Sequence, residues 1–168
     1  IMSLYQDALV VMDRKNGILF DLLLTTKSAR IIYAHPDLVT ARAMSIGGKD
    51  VYILFSDHVS KLRLAQGDLV PVIVGDESWA DSRSLTAYGG NLYILDGTSD
   101  IWKYTGEDTL KRIREAYFLY DTKVDLTSAV QLRIDGSVWT VTDGKIRRFT
   151  QGQEVEWTPL GLEDDLGQ

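Results

Sequence analysis

A strand, a short turn and a second strand recur four times in this chain at intervals of 42, 41 and 46 residues. A chain with that internal period is built by stacking copies of one small unit, which excludes most other architectures. The clearest copy is GGNLYILDGTSDIWKYTG, residues 89 to 106, in which Leu92 to Leu95 and Ile101 to Tyr104 are β-branched, aromatic and aliphatic runs flanking a polar turn. GGKDVYILFSDHVSKLRL (47 to 64) repeats it, with Tyr52 lying 41 residues before Tyr93. GSVWTVTDGKIRRF (136 to 149) repeats it again, with Trp139 lying 46 residues after Tyr93 and Asp143-Gly144 as a tight turn. ALVVMDRKNGILFDLLL (8 to 24) is the weakest copy; Val10 lies 42 residues before Tyr52, and Asn16-Gly17 marks the turn.

The opening residues set the phase. Met2-Ser3-Leu4 aligns with Met44-Ser45-Ile46, and both align with Leu85-Thr86-Ala87. Each unit therefore has an earlier strand (Met2 to Tyr5, Ala41 to Ile46, Arg83 to Tyr88, Ser128 to Ile134) and a later one (Arg30 to Ala34, Leu69 to Val74, Leu110 to Leu119, Val155 to Leu160). Four strands per unit at a period of about 42 predict an all-β fold, a β-propeller with four blades of four antiparallel strands. The blades span 1–38, 39–80, 81–124 and 125–162 of a single domain. EDTLKRIREAYFLYD (107 to 121) also has helical spacing at Leu110, Ile113, Tyr117 and Tyr120. The repeat phase favours a long outer strand there over a helical turn on the rim. Pro36, Pro71 and Pro159 fall in or near fourth strands, where an outer edge tolerates a missing N–H.

At 168 residues and 45% hydrophobic, the chain is long enough for a sizeable core. No run approaches 18 apolar residues, so direct membrane insertion is not expected. The absence of cysteine removes disulfides and thiolate chemistry and fits a bacterial protein in either compartment. The chain opens inside a repeat strand, from which a segment of a longer protein is expected.

GGNLYILDGTSDIWKYT and IDGSVWTVTDGKIRRFTQG resemble the repeats of NHL and TolB-like propellers. The first two units keep the period but lose the acidic residue after the second strand, with Asp13 displaced and Phe55 in its place. The run from Asp125 through Gly152 resembles, more loosely, propeller regions of uncharacterised bacterial proteins that carry an upstream protein-phosphatase-like domain. That resemblance implies an extracytoplasmic sensor or interaction part. Four units either close on themselves or form part of a larger ring, completed by more of a parent chain or by a homodimer through the terminal blades.

The residues for catalysis are sparse. A calcium cage of the lactonase type needs six or more oxygen ligands, and the chain has two asparagines, Asn16 and Asn91. His35 and His58 are its only histidines and make no zinc spacing. No nucleophile elbow, P-loop or dinucleotide fingerprint occurs, and DGTSD (96 to 100) reads as a turn rather than a calcium loop. No metal or cofactor is expected. A net charge of −6 argues against nucleic acid, and the basic stripes at Lys111, Arg112 and Arg114 and at Arg147 and Arg148 read as edge-strand protection.

What remains is recognition by the loops that gather on one face, between second and third strands and between blades. The candidate binding residues are Trp79, Tyr120, Asp121 and His35 in those loops, with Arg42 and Arg83 at the start of two inner strands. Trp79 in a polar loop offers a large contact area or folds beneath its own loop. The two arginines recur at an offset of 41; they either attract an anion at the channel mouth or, as the favoured reading, hold the preceding loop. Trp102, Trp139 and Trp157 are expected to pack blade against blade. The sequence thus points to a non-enzymatic propeller binding a protein or ligand, with a propeller hydrolase completed outside these residues as the runner-up and a structural spacer third.

Overall fold

A computed structural model describes residues 1–5, 8–72, 81–96, 100–106, 110–112 and 124–158. They form sixteen strands in four sheets of four. The first sheet comprises β1 (Met2–Tyr5), β2 (Ala8–Asp13), β3 (Ile18–Leu23) and β4 (Ser28–Ala34); the second comprises β5 (Ala43–Gly47), β6 (Asp50–Leu54), β7 (Val59–Arg63) and β8 (Asp68–Pro71). The third comprises β9 (Ser84–Tyr88), β10 (Asn91–Leu95), β11 (Ile101–Thr105) and β12 (Lys111–Arg112); the fourth comprises β13 (Ala129–Ile134), β14 (Val138–Thr142), β15 (Lys145–Thr150) and β16 (Gln153–Val155). Every sheet is an antiparallel meander in chain order, which is the blade the repeat requires. The inner strands β1, β5, β9 and β13 stand side by side. No helix among the described residues is long and apolar enough to cross a membrane.

The cores lie between blades. Val10, Met12 and Leu19 of the first sheet pack with Met44, Val51, Ile53, Phe55 and Leu62 of the second. Leu54, Val59 and Val72 of the second pack with Leu85, Leu92, Ile94 and Tyr104 of the third. Leu95 and Ile101 of the third pack with Leu132, Val138 and Phe149 of the fourth. Strand alternation makes this possible, because successive residues serve opposite neighbours. Backbone amides add to the seams where Ser45 Oγ accepts from Ala87 N at 2.9 Å and Ser84 Oγ from Leu132 N at 3.1 Å.

Expectations change in places. The outer strand of the fourth blade is Gln153–Val155, whereas Val155 to Leu160 was expected. Pro36, near the fourth strand of its blade as expected, opens a short 3₁₀ turn, Pro36–Thr40. Its fixed φ suits a first helical position, and the turn buries Leu38 against the first interface, so that loop is partly core. Trp102 packs on the interface between second and third blades as expected, but Trp139 and Trp157 meet each other edge to face at 5.1 Å within the fourth blade. Among the described residues the four blades make three such interfaces; the faces of the first and fourth sheets that would meet in a closed four-bladed ring are not covered by any described residue, with Ile31 58% and Ile146 50% exposed. Of the ambiguous stretch 107 to 121, Lys111–Arg112 is strand, and the remainder, apart from Leu110, lies outside the described residues.

Candidate functional site

The residue before each middle inner strand is fixed by its backbone, Arg42 N donating to Leu54 O at 2.7 Å and Arg83 N to Leu95 O at 2.9 Å. Each side chain then reaches forward to the next blade. Arg42 Nη1 donates to Ser82 O at 3.3 Å, and Arg83 Nη1 donates to Thr127 O and, at 3.1 Å, to Ala129 O. Both arginines therefore hold the segment that leads into the following inner strand. The segment that Arg83 holds is itself ordered by Asp125, whose carboxylate accepts from Thr127 N at 2.9 Å and Thr127 Oγ1 at 2.6 Å; the Thr127 hydroxyl bond keeps that carboxyl below its ordinary pKa.

These same arginines line a cavity of about 480 Å³ with Ile1, Met2, Ala43, Met44, Ser84, Val130, Gln131 and Arg133. All four blades contribute to it, and among the described residues none that lines it is acidic. Arg133, a residue sequence reading passed over, stands opposite Trp139 in the sheet register. The second and third blades carry Ser45 and Thr86 at that register position, so no recurring arginine marks it in the sequence. Among the described residues, three guanidiniums border this mouth.

His35 is elsewhere on the first inter-blade connection. Its Nδ1 accepts from Asp37 N at 3.3 Å, capping the 3₁₀ turn, and its ring stacks with Tyr33 at 6.1 Å. It does not line the arginine cavity. His58, in the hairpin turn of the second blade, stacks on Phe55 at 4.5 Å and meets Asp57 at 2.7 Å, a hydrogen bond that lowers the Asp57 pKa. Trp79, Tyr120 and Asp121 lie outside the described residues. Among the described residues no group of three or more His, Cys, Asp or Glu is arranged to hold a metal ion. The Asp96 carboxylate is engaged by Asp100 N at 3.0 Å and Trp102 Nε1 at 2.6 Å, so it shapes the turn.

No protein-family model matches this chain, and no curated protein matches its sequence. Solved structures do match in fold. The computationally designed Ika4 protein aligns over 89% of this chain and 88% of its own, with TM-score 0.57 and 12% identity. Virginiamycin B lyase from Staphylococcus aureus aligns over 86% of this chain at TM-score 0.60 and 11% identity, and this chain spans 48% of that one. The computationally designed Ika8 protein aligns over 91% of this chain and 59% of its own, with TM-score 0.55 and 10% identity. With the four antiparallel sheets, these similarities identify the fold as a β-propeller.

Proposed function

We propose that the domain is a non-catalytic binding module whose ligand, a small molecule or a protein segment, places an anionic group at the channel mouth. The observation that supports this is the convergence of Arg83 and Arg133, with Arg42, on one cavity whose described lining residues include no carboxylate. A guanidinium has five donors in a fork that suits carboxylate or phosphate. Arg83 and Arg133 direct Nη1 at backbone carbonyls, Arg133 to Leu132 O at 3.2 Å, an arrangement that fixes the heads in place. Fixed charges lose less entropy when they bind.

Calorimetric titration of the full chain with citrate, inorganic phosphate and a glutamate-rich peptide tests the reading. At least one anion binds, binding weakens with salt, and Arg133→Gln lowers affinity roughly tenfold or more, as loss of a charge-assisted hydrogen bond does. Equal binding of a neutral amide analogue, or an indifferent Arg133→Gln, would sink it.

A further inference from the structure

The two open sheet faces are the two halves of the interface that this chain already makes three times. The residues of the second blade that fill its seam with the first are Met44, Val51, Ile53, Leu62 and, at the margin, Leu64. Their counterparts 42 residues earlier are Met2, Leu9, Val11, Phe20 and Leu22, on the outward face of the first blade. Strand register carries that face across the whole sheet, through Met2, Val11, Phe20 and Ile31 in a single apolar row.

The fourth blade supplies the other half. The cross-strand pair Leu54–Val59 of the second blade is fully buried against the third, and Leu95–Ile101 of the third is fully buried against the fourth. The equivalent pair in the fourth blade is Val141–Ile146, and Ile146 is 50% exposed. Tyr52 and Tyr93 likewise pack against the seams that follow them, while their counterpart Trp139 stands on the open face with Arg133 and Arg148 beside it.

We infer that a second copy of this chain covers both faces at once, the first blade of each copy seated on the fourth blade of the other. Four strands about 4.8 Å apart and about five residues long span roughly 300 Å² per face. Two seams cover four such faces, about 1,200 Å² or more, the lower bound of a stable interface. A head-to-tail contact made twice about a two-fold axis closes a ring of eight blades. The chain aligns with 48% of a larger propeller, the share expected of half a ring.

Light scattering on the full chain is expected to give a particle of twice the 18.9 kDa chain mass at micromolar concentration. Val11→Lys sets a cation against Arg133 and Arg148 and gives monomer, as does Ile146→Lys, with circular dichroism and melting cooperativity retained. Val11→Glu faces the same two arginines with the opposite sign and keeps at least tenfold more dimer than Val11→Lys. A monomeric wild type, equal effects of Lys and Glu at position 11, or a mass that grows continuously with concentration overturns the two-fold ring.

Discussion

The second and fourth blades are built on one plan and differ in cover. The second is pressed on both faces. Its row Ser45, Tyr52, Lys61, Val70 faces the third blade, with Ser45 and Lys61 buried and Ser45 Oγ taking a backbone amide of that neighbour. In the fourth blade the same row reads Arg133, Trp139, Arg148, Val155. Arg148 lies over the Trp139 ring at 5.2 Å, Trp139 Nε1 donates to Asp135 at 2.9 Å, and Trp157 packs on Trp139 at 5.1 Å. A small hydroxyl stands where a neighbouring backbone comes close; large side chains supply their own cover where none does. Cover, more than strand pattern, decides what a blade position tolerates.

The largest effect that separates the two regions is a cavity. Leu54→Ala is expected to cost about 2–5 kcal/mol, since Leu54 is fully buried between blades. Val141→Ala, its counterpart, is expected to cost less than about 1 kcal/mol in the Val11→Lys background, where the end faces stay uncovered. Urea unfolding measures both, and equal costs would mean that the fourth blade is already covered on both sides.

Arg83→Met comes next. It retains the aliphatic stem but removes donors from Thr127 O and Ala129 O, so about 1–2 kcal/mol is expected. Hydrogen exchange should show faster opening at the start of β13, with β2 and β3 unchanged. A uniform change across the protein would remove the arginine from its seam. Ser45→Ala follows at about 1 kcal/mol, because Ala87 N loses its acceptor, whereas Arg133→Ser in the Val11→Lys background, where the fourth blade stays uncovered, should leave the melting temperature within about 1 °C.

Much of this was legible because a propeller repeats its physics. The alignment of Tyr52, Tyr93 and Trp139 fixed the hairpins, and fourteen of the sixteen strands follow from it to within a few residues of their ends; β16 ends where a strand over Val155 to Leu160 was expected to begin, and of the strand expected over Leu110 to Leu119 only Lys111–Arg112 is strand among the described residues. The chain partners of those strands were legible too, since short polar turns permit only antiparallel neighbours. Leu38 was hidden because a turn led by Pro36 carries no period, although its burial in the first seam is complete. Arg133 was hidden because the equivalent positions of the second and third blades hold Ser45 and Thr86, and its cavity arises only when four inner strands from distant parts of the chain are brought together. Arg42 and Arg83 were visible by their spacing, but only the fold distinguishes a bond within a blade from one to the next. The face occupied by Trp139 and Trp157 was misassigned because alternation separates the two faces of a sheet without saying which has a neighbour.

The smallest effect concerns how an outer strand is held. In the second blade Leu69 and Val70 of β8 pack against the two flanking clusters. Every residue of β16 in the fourth blade is exposed, so packing gives it little. It is tied instead by Arg147, whose Nε and Nη2 donate to Glu154 Oε1 and Oε2 at 2.8 and 2.7 Å. That hydrogen-bonded fork holds the Glu154 carboxyl below its ordinary pKa, with burial opposing it. A carboxyl whose pKa is depressed by folding adds stability above its unfolded value, about 4.3 for glutamate, and the gain is lost as pH falls through the lower folded value. Glu154 is half exposed, so solvent screening limits the gain to less than about 1 kcal/mol. Glu154→Gln is therefore expected to lower the melting temperature slightly at pH 7 in low salt, with the difference shrinking in 1 M salt. As pH falls below the unfolded value and through the lower folded one, the variant and the parent should converge. A gap that persists once the carboxyl is fully protonated would show that β16 is held by side-chain packing, as β8 is, and would erase this distinction between the two blades.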